Sequence, residues 1–517
     1  MILEKNKKSE VSMGRHRYIG ALDQGTTSSR FILFDHGGRI VAGHQLEHRQ
    51  IYPKPGWVEH DPLEIWQRCC DVIRATLQKS GVVADELVSI GVTNQRETVV
   101  CWNPKTGKPF YNAIVWQDMR TSDYIEALAA DGGYDRFRLK TGLPLAAYFS
   151  GSKMKWMLDT IPGLRKAAAR GEAVFGTIDT YIIWQLTGGP GRGILVTDVT
   201  NASRTFLMNI TELCWDQELL DLFSIPRNML PEIRSSVAAT AYGVTDGGGP
   251  LGGCVPISGI LGDQQAALFG QACFERGSSK NTYGTGCFLL LHTGEEIVHS
   301  HHGLLTTVAC RIGKQPATYA LEGSVAVAGL LVQWVRDKLG LIKESGEIRE
   351  LASRVKDNGG VYIVPAFSGL FAPYWRTDAR GIIAGLTGYV DSGHIARAVI
   401  ESTAFQTKDI CDAMEKDSGL TFSELKVDGG AVVDELLMQF QADLLSIPVI
   451  RPEVTETTAL GAAYAAGLSV GFWSGLSELK GHWREEKRWI ASMGTDEREK
   501  QLRFWYKAVE RTKGWLD

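Results

Sequence analysis

The sequence predicts an α/β protein built from two similar halves, and three observations predict it. A chain of 517 residues exceeds what one hydrophobic core usually organises, so two large domains with a cleft between them are expected. Strand, loop and helix signals alternate along the chain, as in layered α/β folds. A hairpin with a turn of small and hydroxyl-bearing residues occurs twice, around 23–29 and around Gly284-Thr285-Gly286.

The first hairpin joins the apolar runs 18–22 and 30–34. A Pro- and Gly-rich loop over 53–62 precedes helical spacing over 62–79, carried by Ile65, Cys69, Val72, Ile73 and Leu77. Residues 87–92 read as a buried strand, 175–179 as a strand end with a helix after it, and 255–261 as a strand followed by a helix over 264–270. The second hairpin covers 280–291. Helices are then expected at 324–339, 392–418, 434–445, 457–470 and 497–515, with strands at 361–364 and 425–428. The boundary between halves falls near 270, giving domains 17–270 and 271–517, and residues 1–16 read as a disordered tail.

Composition excludes several classes. With 44% hydrophobic and 22% charged residues the chain is an ordinary globular one, and a net charge of −4 gives no basic excess to hold nucleic acid. Nine scattered cysteines, never spaced Cys-x-x-Cys, argue against a disulfide framework and a cysteine-based zinc site, and fit the reducing cytoplasm. No run of 18 apolar residues offers a membrane span, and the polar N-terminus lacks a secretory apolar stretch.

No Gly-x-x-x-x-Gly-Lys-Ser/Thr motif occurs, which excludes a P-loop enzyme. Gly247, Gly249 and Gly252 match a dinucleotide pattern, but Pro250 and Pro256 deny it a strand-to-helix setting, so it reads as a loop. His299, His301 and His302 likewise read as a solvated loop.

The turn 23–29 offers backbone N–H groups and hydroxyls to phosphate oxygens, with Arg30 adding charge and Asp23 able to hold Mg²⁺ through water. Gly284-Thr285-Gly286 repeats that chemistry, and Val427-Asp428-Gly429-Gly430 offers a third close backbone approach. Asp263, at a strand end, suits a general base for phosphoryl transfer, although a helix N-cap fits it equally well. Arg96 with Glu97 suits the grip of adjacent hydroxyls on a polyol; a surface ion pair is the alternative.

From residue 18 onward the chain resembles the FGGY carbohydrate kinase family. The resemblance rests on ALDQGTTSSR, TNQRET, NAIVWQD, YFSGSKMKW, TDVTNASRT, GDQQAALFGQ, KNTYGTGCF, ALEGSVAVAG, VDGG and ETTALGAAYAAGL, in that order. It implies two actin-like (ribonuclease H-like) domains with an interdomain active-site cleft, ATP as co-substrate, Mg²⁺, glycerol as acceptor and a homo-oligomer, dimer or tetramer. By motif it implies that Arg96, Glu97, Trp116, Tyr148, Asp263, Gln264 and Phe288 bind the substrate, with Asp263 as base. It places Thr26, Thr27, Ser28, Arg30, Thr285, Gly329, Gln333 and Gly430 at the nucleotide, and Asp23 at Mg²⁺ through water.

Three departures from the family pattern stand out. Asp434-Glu435 replaces an Asn-Asn pair, which puts a carboxylate near the adenine. Cys254 stands where enterobacterial members use Arg for fructose 1,6-bisphosphate feedback, so that regulation is not expected. Ala146-Ala147 precedes Tyr148 where some members have Asp-Pro. Another polyol or sugar kinase of the family, or an actin-like or chaperone-like module without transfer chemistry, are the alternatives.

Overall fold

The computed structural model describes residues 17–516, so the tail expected at 1–16 lies outside the described residues. Two large mixed sheets carry the chain. The first runs in the order Gly243–Val244, Pro256–Gly262, Leu87–Asn94, Tyr18–Gln24, Ser28–Phe34, Ile40–Glu47. The second runs Leu305–Cys310, Thr318–Val325, Cys287–Gly294, Ser279–Tyr283, Leu425–Asp428, Val449–Pro452, Glu485–Trp489.

The repeat suspected from the two hairpins is a repeat of topology. Tyr18–Gln24 pairs antiparallel with Ser28–Phe34 and parallel with Leu87–Asn94, which pairs parallel with Pro256–Gly262. Ser279–Tyr283 pairs antiparallel with Cys287–Gly294 and parallel with Leu425–Asp428, which pairs parallel with Val449–Pro452. Each half thus places a hairpin beside two parallel strands whose C-terminal ends face the same way, where α/β crevices form.

Local chemistry explains the elements. Pro62–Ser80 begins with Pro at its first position and the Asp61 carboxylate accepting from the Leu63 N–H, and it ends at Gly81 with φ 73°. Its buried face, Ile65, Cys69, Val72 and Ile73, packs on the first sheet, and Thr76 Oγ1 donates to the Phe31 carbonyl at 3.0 Å.

The halves are joined by two crossing helices, Asp263–Gly270 and Thr457–Ser469. Their backbones touch: a Cβ on Gly461 would lie 1.8 Å from the Ala266 carbonyl oxygen, and one on Gly270 2.0 Å from that of Thr457. Thr457–Ser469, though late in the chain, lies on the first sheet, where a Cβ on Gly91 would fall 2.0 Å from the Ala462 oxygen. The small residues of that segment exist to let backbones approach.

Three expected boundaries are corrected. The helix expected at 324–339 starts at Gly329, because Ser324 and Val325 complete a strand against Phe288 and Cys287; it runs to Trp334 and closes in a wide π turn, Val335–Leu339. The terminal helix is Thr495–Glu510, not 497–515. Helix 434–445 begins at Glu435, with Asp434 as its N-cap. Among the described residues no helix is long and apolar enough to cross a membrane.

Candidate active site

The C-terminal end of Leu87–Asn94 runs into a tight turn in which Glu97 has φ 61°, a left-handed conformation that costs a non-glycine residue about 1–3 kcal/mol. The turn drives Arg96 and Glu97 inward, and both are buried, at 3% and 1% exposed, which removes the surface-pair alternative. They do not pair with each other. Arg96 meets Glu322 of the second sheet through two hydrogen bonds, of 2.6 and 2.9 Å, and Glu97 Oε1 accepts from Arg204 Nε at 2.6 Å. Arg204 Nη2 also reaches Glu322 Oε1, at 3.2 Å.

Asp263 opens the helix Asp263–Gly270, but Gly262 is the N-cap. Its Oδ1 accepts from the Gln264 N–H at 2.7 Å and sits 3.1 Å from Arg96 Nε; the side chain is 25% exposed. Burial pushes this carboxyl above the usual range, against the opposing pull of Arg96 and Lys280. Glu322 goes the other way: burial would raise it, yet Arg204 and Arg96 bring it down to about 2. Of two carboxyls on one guanidinium, one is fixed as an anion and the other is left basic.

An aromatic wall adjoins these charges. The Trp116 ring meets Tyr148 edge-on at 5.4 Å and Phe288 at 6.2 Å, and all three rings are half-buried. Trp116 Nε1 donates to Thr26 Oγ1 at 3.0 Å, tying the wall to the first turn. Burial pushes the Tyr148 hydroxyl far up, so it stays a donor.

In the first turn the Gly25 N–H donates to the Ser28 carbonyl at 2.8 Å, Ser28 Oγ accepts from Gln45, and Thr27 is exposed. Arg30 pairs with Glu456 and lies 3.6 Å from the buried Asp23, whose carboxyl burial raises to about 6. In the second turn the N–H groups of Ala328 and Leu330 donate to the Thr285 carbonyl, each at 3.0 Å, leaving the Thr285 side chain exposed. Gly329 must lack a Cβ, which would fall 2.6 Å from the Gly284 oxygen. Gln333 is exposed one helical turn on, and Gly430 is exposed beyond Gly429, whose Cβ would strike the Tyr283 oxygen at 2.4 Å.

Asp434 is half-buried and occupied: its Oδ1 accepts from the N–H groups of Leu436 and Leu437 at 3.0 and 3.2 Å. Cys254 is exposed, and His302 is tied to Asp417 by a 2.6 Å contact.

Sequence reasoning missed Glu322, Arg204 and Lys280. Lys280 is fully buried, donating to Gln264 Oε1 at 2.5 Å and Thr282 Oγ1 at 2.9 Å, and burial lowers it to about 8. Lys280 lies in the polar strand Ser279–Tyr283 and Arg204 just past the short helix Val199–Ser203, so neither stands out locally; Glu322 is a lone charge in the largely apolar strand Thr318–Val325, a signal that does not name its partner.

A duplicated α/β fold closing on a buried polar cluster defines the two-domain actin-like class. Residues 18–270 match the N-terminal domain of the FGGY family of carbohydrate kinases and residues 279–470 its C-terminal domain, and the chain belongs to that family. It is 60% identical over 501 residues to a glycerol kinase of Chloroflexus aurantiacus, covering 97% of this chain and 100% of that one. The crystal structure of Plasmodium falciparum glycerol kinase with ADP superposes with a TM-score of 0.89 at 38% identity, over 96% of this chain and 98% of that chain. A ligand-bound xylulose kinase from Lactobacillus acidophilus shares the fold, with a TM-score of 0.83 at 23% identity over 96% and 97% of the two chains.

Proposed function

We propose that the chain transfers the γ-phosphoryl group of ATP to a terminal hydroxyl of glycerol, giving sn-glycerol 3-phosphate and ADP. The observation that carries this reading is the cluster Arg96–Glu322–Arg204–Glu97 with Asp263, walled by Trp116, Tyr148 and Phe288. It supplies fixed donors and acceptors for neighbouring hydroxyls on one side and apolar contact for a short carbon chain on the other.

Asp263 is the general base. Its Oδ1 is held by Gln264 N–H and Arg96, so Oδ2 is left to take the proton of the attacking hydroxyl. Arg96 and Glu97 grip the hydroxyls, and Gln264, oriented by Lys280, offers its amide N–H₂. Thr26, Thr27, Ser28, Arg30 and Thr285 hold the phosphates, while Gly329, Gln333 and Gly430 border the nucleoside. Asp434 enters this reading as a helix cap at the nucleoside's edge rather than as an adenine ligand.

Mg²⁺ fits the charges present: Glu456 and Asp263 each repel the Asp23 carboxylate, with Arg30 the cation set between Asp23 and Glu456. Asp23 would hold the ion through water, and the ion when bound would neutralise phosphate charge. We assign substrate and phosphate binding to 17–270 and nucleotide binding to 271–517, with closure of the halves excluding water. All nine cysteines are free, which supports a cytoplasmic setting, and a homo-oligomer is the expected assembly, tested by sedimentation.

A coupled ADP-release assay over a panel of polyols and sugars tests the acceptor. Glycerol should give the highest kcat/KM; equal or better turnover of a longer polyol overturns the assignment, and no acceptor-stimulated ADP release overturns transfer chemistry altogether.

A further inference from the structure

On the far side of the crossing helices, His36 from the turn after Ser28–Phe34 meets the short helix Leu476–His482, which presents Glu478 and His482 at i and i+4 on one face. Three ligand atoms converge there. Glu478 Oε1 lies 3.5 Å from His36 Nε2 and 3.6 Å from His482 Nε2, and all three atoms fall within 4.8 Å of one another. A tetrahedral ion with bonds of about 2.0–2.1 Å sets neighbouring donors about 3.3 Å apart, so the observed spacing needs only small side-chain shifts.

Two further features fit coordination. Glu478 Oε2 is held by the Ser474 N–H and hydroxyl, both at 2.7 Å, which orients the carboxylate and leaves Oε1 to the histidines. His482 Nε2 is buried and makes no hydrogen bond; its partner Glu478 Oε1 stands 3.6 Å away, beyond hydrogen-bond reach, a gap that a metal would bridge. The backbone beneath is rigid: Trp473 Nε1 donates to the His36 carbonyl at 2.8 Å, and the His36 ring packs on Phe472 at 4.9 Å. An open cavity of about 510 Å³, lined by His36, Asp35, Arg17, Arg39 and Phe472, adjoins the site on the His36 side and leaves room for water there.

We propose that His36, Glu478 and His482 form a transition-metal site of two imidazoles and one carboxylate, suited to Zn²⁺, which clamps the first sheet's hairpin turn to the segment following the crossing helix Thr457–Ser469. Carboxylate and imidazole donors without thiolate suit zinc over softer ions, and three protein ligands leave one position open. The site is separate from the catalytic cluster and serves as a brace.

The test titrates the nucleotide-free full-length chain with Zn²⁺ and Co²⁺, because ATP and ADP chelate metal. Both the native chain and a Cys214→Ser/Cys254→Ser variant should bind one Zn²⁺, with a cobalt spectrum free of thiolate charge transfer. His36→Ala and His482→Ala should each weaken binding at least about tenfold, and Ser474→Ala about tenfold through loss of carboxylate orientation. Zinc should raise the melting temperature of the native chain but not of His36→Ala, while phosphoryl transfer by that variant stays at the native level and certifies its fold. Absence of saturable one-to-one binding, unchanged affinity in both histidine variants, or a thiolate band in the cobalt spectrum overturns the proposal.

Discussion

Asp263 and Glu322 share the Arg96 guanidinium, yet their carboxyl pKa values move in opposite directions because their surroundings differ. Glu322 is fully buried between two guanidinium groups, whose pull overcomes burial and brings it down, whereas at Asp263 burial outweighs the pull of Arg96 and Lys280 and the carboxyl stays raised. Asp263→Asn should therefore lower kcat by about 10² to 10⁴ with little change in ATP binding, read by steady-state kinetics and nucleotide titration. Near-native turnover would remove Asp263 from the mechanism. Its position was legible in the sequence as a carboxylate at a strand end, but whether it caps the helix was not, because that depends on whether Gly262 or Asp263 takes the extended φ/ψ. Glu322 and Arg204 were illegible for a different reason: each finds its partner more than 100 residues away across the cleft, and no local pattern encodes such a pairing.

At the level of elements, alternation and turn chemistry located both hairpins, the long helix Ser392–Ser418 and the crossing helices, since those are set by local periodicity and caps. Residues 324 and 325, expected in a helix, belong to a strand because the long-range ladder with Cys287–Gly294 claims them. The crossing itself rests on absent side chains. Gly461→Ala would set a methyl 1.8 Å from the Ala266 oxygen, so the two helices must separate. A loss of about 1–3 kcal/mol or more is expected in urea denaturation, with a fall in kcat from misplaced Asp263; an unchanged midpoint would mean the helices slide freely. Ser392–Ser418 also carries two buried acids, Glu401 and Asp409, each raised by burial to about 7. Their folded pKa values exceed the unfolded ones, so the folded state binds extra protons between about pH 4 and 7 and stability falls as pH rises through that window. Asp409→Asn should flatten the fall in a melting-temperature series from pH 5 to 7.5; an identical slope would assign it to other groups.

For the molecule as a whole, the two halves meet at a cluster of charge that neither could bury alone. Glu322 comes from the second sheet, and Arg96 and Arg204 come from the first half, so the ion network proposed as the substrate grip is also an interdomain bond. Removing one partner of a buried network strands the remaining charges, at about 3–5 kcal/mol. Glu322→Ala should therefore destabilise the chain by that order and abolish glycerol phosphorylation, because both guanidinium groups lose their shared anchor. The acid dependence separates this from simple packing. The folded pKa of Glu322 lies at about 2, below the unfolded value, so its contribution is complete above about pH 4.5 and is lost as pH falls toward 2. Glu322→Gln preserves volume and should shrink the native advantage most above pH 4.5 and least near pH 2, read by denaturant midpoints at each pH. If instead native and Glu322→Gln chains differ by a constant amount across that range, the network holds the halves by shape and not by charge.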